Sequence, residues 1–288
     1  MFKGIMIGDA YGAGFEFTES RLKDNDGKHY LKHPLHMASD DSGNSLDAGQ
    51  YTDDTQMSIA VAETLLNHDT YSALDFANSF VSCFGRDPRV GYAKGFYKFL
   101  LNQTTGQDLI DNINPSSKRN GAAMRSIPLG VLCNPKMVKE ISTMQASITH
   151  NTKEGIDSSV IVALASHYLL RAIPKENLVE RIENHVPGYN LHDEWIGKVE
   201  CDGIMTAKAA LSVLLRTDSM HETLVNAVAF GGDTDSTASI ALGLQSIYQN
   251  HIDDLDKTLL DNIENSAYGF DYCQSLEHRL FEKFSLRN

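Results

Sequence analysis

The stretch "QYTDDTQMSIAVAETLL", residues 50–66, decides how this chain is read. Met57, Val61 and Leu65, with Thr64 beside the last, recur at the three- and four-residue spacing of one helix face. Ahead of them stand Thr52, Asp53, Asp54 and Thr55. Such side chains accept hydrogen bonds from the free N–H groups of a first turn, and negative charge there suits the helix dipole. One of them satisfies a helix start. Two adjacent carboxylates repel each other, so the second acid asks for a reason other than capping.

The helical period continues outward from this stretch. It is clear in "SSVIVALASHYLLRAI" (158–173), "AKAALSVLLRT" (207–217) and "TASIALGLQSIYQ" (237–249), and weaker in 72–84 and 259–270. Alternating strands bounded by turn residues are hard to find, so the expectation is an all-α, compact many-helix bundle. Residues 20–50, rich in Asp, Ser, Gly and His without sustained period, read as a long loop of the kind that tends to be functional. No repeat or low-complexity linker divides the chain, which reads as a single domain over residues 1–288.

With 288 residues, 42% hydrophobic and 22% charged, the composition is that of a soluble globular protein. A net charge of −13 without a basic run argues against binding a nucleic-acid backbone or an anionic membrane. Cys83, Cys133, Cys201 and Cys273 form no CxxC pair and read as reduced thiols. The N-terminus is too acidic for a signal peptide and no stretch approaches the ~20 apolar residues of a membrane span. A cytoplasmic location is expected.

A second acidic helix start answers the question raised by the first. In "VAFGGDTDSTASIALGL" (228–244), Asp233 and Asp235 stand beside Thr234, Ser236 and Thr237, after a Gly231-Gly232 turn. Two helix starts with two acids and a hydroxyl each supply about six hard oxygen ligands, the set that magnesium or manganese prefers. An EF-hand loop from Asp233 would need Gly and Glu where Ala238 and Leu244 stand. A haloacid-dehalogenase-like phosphatase would use Asp233 as nucleophile, but needs a preceding strand and a following α/β alternation; it stays a weaker alternative. His29, His33 and His36 have metal-like spacing, but Pro34 interrupts any helix there, which disfavours zinc. No Gly-x-Ser-x-Gly elbow supports esterase chemistry.

Five segments in order, "GIMIGDAYGAGFE" (4–16), "YTDDTQM" (51–57), "NGAAMRSIPLG" (120–130), "SITH" (147–150) and "GGDTDSTASI" (231–240), resemble the ADP-ribosylglycohydrolases. The resemblance implies an all-α orthogonal bundle around two Mg2+ or Mn2+ ions. It implies metal ligands at Thr52, Asp53, Asp54, Asp233, Asp235 and Ser236, and an acid on a mobile loop at Glu16. It places His150, Asn120 and Gly121 near the adenosine or diphosphate part of the substrate, although Asn-Gly is also a plain turn signal. Gly4, Gly8 and Gly12 read as a packing stripe, with Asp9 supporting a loop or a hydroxyl rather than touching metal.

The implied reaction is hydrolysis of the glycosidic bond at the anomeric carbon of ADP-ribose, releasing ADP-ribose from a modified protein. Asp53 or Asp54 is the candidate base and Glu16 the other. Arginine is the first expectation for the modified side chain. Serine, a free ADP-ribose derivative or a nucleic-acid end stay open, because Gly91, Tyr92, Ala93, Lys94 and Gly95 carry no acid where some arginine-specific members have one. A different class is an immunity protein that counters an ADP-ribosylating toxin, by reversing the modification or by binding the toxin.

Overall fold

The computed structural model describes residues 1–33, 46–249 and 254–286. The chain opens with α1 (Phe2–Gly12), followed by α2 (Asp53–Asn67), α3 (Ala73–Arg86), α4 (Lys94–Leu100) and α5 (Gly106–Asn112). A single turn, α6 (Gly121–Met124), leads to α7 (Pro135–Ser147), α8 (Lys153–Leu169) and α9 (Leu178–Glu183). Then come α10 (Gly203–Arg216), α11 (Met220–Ala229), α12 (Thr234–Gln249), α13 (Lys257–Asn262) and α14 (Phe270–Lys283). Among the described residues, β-structure is limited to three isolated bridges, so the all-α expectation is met. No helix there is long and apolar enough to cross a membrane.

The centre is built from helices with little polar face. α8 is buried without a gap from Ser158 to Leu169, and α12 from Thr234 to Ser246, as central helices of a layered bundle are. α1 packs on α12 through the glycine stripe. A methyl group on Gly4, Gly8 or Gly12 would come within 2.3, 2.3 and 2.4 Å of the carbonyl oxygens of Leu242, Ala238 and Thr234. No side chain fits there. The two helices touch backbone to backbone, and that contact brings the end of α1 beside the start of α12.

Two stretches differ from their periodic reading. Residues 259–270 are not one helix: α13 ends at Asn262 and α14 starts at Phe270. Between them the Glu264 N–H donates to the Gly49 carbonyl at 3.0 Å, and its carboxylate pairs with Arg89 at 2.7 Å. These tertiary bonds replace the intrahelical ones. α8 starts ahead of its periodic stretch because the Thr152 hydroxyl accepts from the Gly155 N–H at 3.1 Å, a cap that His150 does not supply. It ends before Pro174, after which a helix could not run unbroken.

Candidate active site

The start of α2 is capped from outside its own sequence. Asp9, buried on α1, accepts from the Thr52 and Thr55 hydroxyls at 2.7 and 2.6 Å, and from their N–H groups at 3.0 and 2.9 Å. The Thr52 hydroxyl in turn takes only a long 3.5 Å bond from the Asp54 N–H. Capping is therefore met without either acid. Asp53 and Asp54 are left to project into a cavity.

The start of α12 is held as tightly. Gly232, at φ +81°, lies where an added methyl group would meet the Val199 carbonyl oxygen at 1.9 Å. Its own carbonyl accepts from the Phe17 N–H at 2.8 Å, and the Asp233 N–H donates to Val199 at 2.9 Å. Only glycine allows this crossing. It fixes Asp233 and Asp235 opposite α2 and brings Glu16, next to Phe17, over them. Asp233 follows α11 and this turn rather than a strand of an α/β sheet, so the phosphatase reading of Asp233 does not fit.

Asp53, Asp54, Asp233, Asp235, Ser236 and Glu16 line one cavity of about 550 Å3, within the usual small-molecule range. Thr52 is fully buried behind it. The Ser236 hydroxyl donates to Asp54 Oδ2 at 3.3 Å, and the Ser236 N–H to Asp235 Oδ1 at 2.9 Å. Asp233 Oδ2 accepts from the Asn120 amide at 3.2 Å. Asp54 Oδ1 and Asp233 Oδ1 are buried with no hydrogen-bond donor among the described residues. A buried carboxylate oxygen without a proton donor is costly unless a cation meets it. Hard oxygens converging from two helix starts fit magnesium or manganese.

Electrostatics agree. Burial first, and then neighbouring acids, hold Glu16, Asp53, Asp54 and Asp235 well above the usual carboxylate range. Asp9 is raised less, because burial is opposed by the bonds from Thr55 and Thr52. The ensemble is a set of acids that a positive charge would bring back to ionisation.

Sequence reading missed one residue here. His33, buried, places Nε2 at 2.6 Å from Glu16 Oε2, and donor atoms of Glu16, His33 and Asp235 lie within 4.8 Å of one another. Burial pushes His33 down to about 4 while Glu16 is pushed up. At that separation the directions of the two shifts favour an uncharged pair, a carboxylic acid beside a neutral imidazole. The three-histidine zinc site is not described by the structure, since His36 and Pro34 lie outside the described residues.

Asn120, Gly121 and His150 line the other part of the same cavity, with Arg119, Arg125 and Thr149. The Asn120 amide is committed to Asp233 and to the Thr206 hydroxyl at 3.2 Å, so it orients an acid rather than facing a ligand freely. Gly121 permits close approach: an added methyl group would sit 2.9 Å from His150 Cε1. Tyr92, Phe96 and Phe99 supply an aromatic wall, the last two stacked at 5.9 Å.

The sequence model of the ADP-ribosylglycohydrolase family matches residues 1–288. The ADP-ribosyl-(dinitrogen reductase) glycohydrolase of Rhodospirillum rubrum is 26% identical over 271 residues, covering 91% of this chain and 88% of that protein. The ADP-ribosylhydrolase ARH3 of Danio rerio is 29% identical over 185 residues, or 60% of this chain. That match spans 48% of the zebrafish protein. Among solved structures, an ADP-ribosylglycohydrolase-related protein complex superposes with a TM-score of 0.70 over 99% of this chain and 95% of that one. At 20% identity that likeness speaks for the fold. The chain belongs to the ADP-ribosylglycohydrolase family, a family of hydrolases.

Proposed function

We propose that the protein removes ADP-ribose from modified protein side chains by hydrolysing the glycosidic bond at the anomeric ribose carbon, and that it needs magnesium or manganese to do so. The observation that carries this reading is the pair of buried oxygens, Asp54 Oδ1 and Asp233 Oδ1, without donors on two facing helix starts. Two ions are proposed, held by Thr52, Asp53, Asp54, Asp233, Asp235 and Ser236. Thr52 suits the role because its proton is directed at Asp9, which leaves an oxygen lone pair for a cation. Bound there, the ions would polarise water and hold sugar hydroxyls.

The protein's own groups carry the proton. Cleavage passes through an oxocarbenium-like state, so a carboxylate must take a proton from the attacking water and the departing group must gain one. Asp53 and Asp54, on the first turn of α2 and facing the cavity, are the candidate bases, with Glu16 as the third. The aromatic wall of Tyr92, Phe96 and Phe99 would exclude water and seat apolar parts of the substrate.

Arginine is the proposed acceptor, because a relative 24% identical over 258 residues, 83% of this chain, is an ADP-ribosylarginine hydrolase. One observation favours a second reading, ADP-ribosyl-serine: Gly91, Tyr92, Ala93, Lys94 and Gly95 all line the cavity and bring a cation but no acid. Release of ADP-ribose from arginine-modified and serine-modified proteins, each with magnesium, with manganese and with excess chelator, tests both. Release from the arginine substrate only, abolished by chelator, is the expected result. Release from neither substrate with either metal would overturn the proposal, and preference for serine would replace the acceptor.

A further inference from the structure

Arg125 stands out among the groups the proposed chemistry does not use. Its side chain is 1% exposed, yet among the described residues no carboxylate pairs with it. Its Nε donates to Gln145 Oε1 at 2.6 Å, and its Nη2 to the Gln145 carbonyl at 3.1 Å and to Thr149 Oγ1 at 2.8 Å. Its guanidinium lies 4.3 Å from the Phe80 ring centre. A charge buried among neutral partners carries a desolvation cost that only those bonds and the Phe80 ring offset.

What it serves follows from hydrogen-bond direction. A guanidinium can only donate, so Thr149 Oγ1 accepts from Arg125. The same oxygen lies 2.7 Å from His150 Nδ1. Thr149 is 4% exposed and has no other side-chain partner among the described residues. If Nδ1 carried a proton and donated, the threonine proton would have no protein acceptor among the described residues. Only the opposite direction satisfies every group from within the protein: Arg125 donates to Thr149, Thr149 to His150 Nδ1, and the ring proton sits on Nε2. Burial, with Arg125 and Arg119 nearby, lowers His150 to about 3, so the ring stays neutral. Nε2 has no protein partner among the described residues, and the ring lines the cavity against Gly121.

We infer that Arg125 and Thr149 are positioning residues that lock His150 in the Nε2–H form, so that it donates a hydrogen bond to an acceptor atom on the ADP-ribose part of the substrate. The acceptor is a phosphate oxygen or a purine nitrogen. The identity of the ligand rests on the function proposed above; the tautomer does not. Lysine at position 125 would not reproduce the relay, since a single ammonium cannot bond Gln145 twice and Thr149 once in the same planar geometry.

The test has two parts. Long-range proton–nitrogen NMR of the ligand-free protein at neutral pH should show a pyrrole-type Nε2 and a pyridine-type Nδ1 for His150. Thr149→Val removes the relay and should give a mixture of tautomers, while Thr149→Ser keeps the single form. By calorimetry, Thr149→Val should weaken ADP-ribose binding about twofold to fivefold, the reciprocal of the Nε2–H fraction that remains. Its KM should rise by a similar factor with kcat within about twofold. Adenosine and ribose 5-phosphate, titrated separately, show which half of the ligand loses the bond. A protonated Nδ1 in the parent, or valine binding ADP-ribose as tightly as threonine, would overturn the inference. If valine does not fold, the parent spectrum and the serine variant decide. A parent with the Nε2–H form that binds no ADP-ribose leaves the lock standing and removes the proposed ligand.

Discussion

The two ends of the cavity hold buried charge of opposite sign, and neither end neutralises its own. At the α2 and α12 end, Glu16, Asp53, Asp54, Asp233 and Asp235 face one another, and among the described residues none pairs with Lys or Arg. At the other end Arg125 is buried against neutral partners. Glu16, Asp53, Asp54 and Asp235 answer by rising well above their usual range, whereas Arg125 is lowered only to about 9 and stays charged at neutral pH. One end is shaped to take a cation and the other to face something electron-rich. On the proposed function, cations at the first end would hold the sugar hydroxyls and the second end would face the diphosphate or the purine.

The largest effect that would break this contrast comes from Asp235→Asn. Size is kept and one charge is lost, so activity should fall by orders of magnitude and bound metal should drop below two ions. Stability in chelator should move the other way. A carboxyl with a raised folded pKa binds its proton more tightly when folded, so its contribution is present at low pH and is lost as pH rises through that pKa. Parent and variant should melt together near pH 4 in chelator, with the variant the more stable at pH 7 to 8. Equal melting curves across that range would show that Asp235 carries no such strain.

Asp9→Ala tests whether the acids are free because another group does the capping. It leaves the buried Thr52 and Thr55 donors without an acceptor, which should cost on the order of 3 kcal/mol or more in chemical denaturation. A loss below about 1 kcal/mol would mean that Asp53 or Asp54 caps α2 after all. At the opposite end, Arg125→Met should weaken ADP-ribose binding severalfold with little net change in stability, because the relieved cost of a buried charge is offset by the donor that Gln145 Oε1 loses. A marked loss of stability would make Arg125 a structural strut. The smallest effect is expected for His33→Gln, which keeps a hydrogen-bonding group beside Glu16. Turnover should change severalfold with metal stoichiometry intact, measured by steady-state kinetics beside metal analysis.

How much of this was legible in the sequence depended on how local the cause was. The acid pairs at 53–54 and 233–235 could be read because a helix start needs one cap and each stretch offers a surplus. Gly4, Gly8 and Gly12 could be read because their spacing is that of one helix face, and that face meets α12. His33 could not, since its partner Glu16 is reached through a segment without any period. The Arg125–Thr149–His150 relay was equally hidden. All three of its members lie in the motifs "NGAAMR" and "SITH", but its direction depends on which lone pairs burial leaves unsatisfied. The break between α13 and α14 was lost for a related reason: Arg89 and Gly49, distant in sequence, claim Glu264.

The central claim is that two facing helix starts form one site for divalent cations. Calorimetric titration of manganese into the chelator-treated parent and into Asp235→Asn tests it most directly. The account predicts two bound ions for the parent, released protons as the raised carboxyls ionise, and fewer than two ions for the variant. A variant that binds two ions as tightly as the parent, or a parent that binds none, would contradict it.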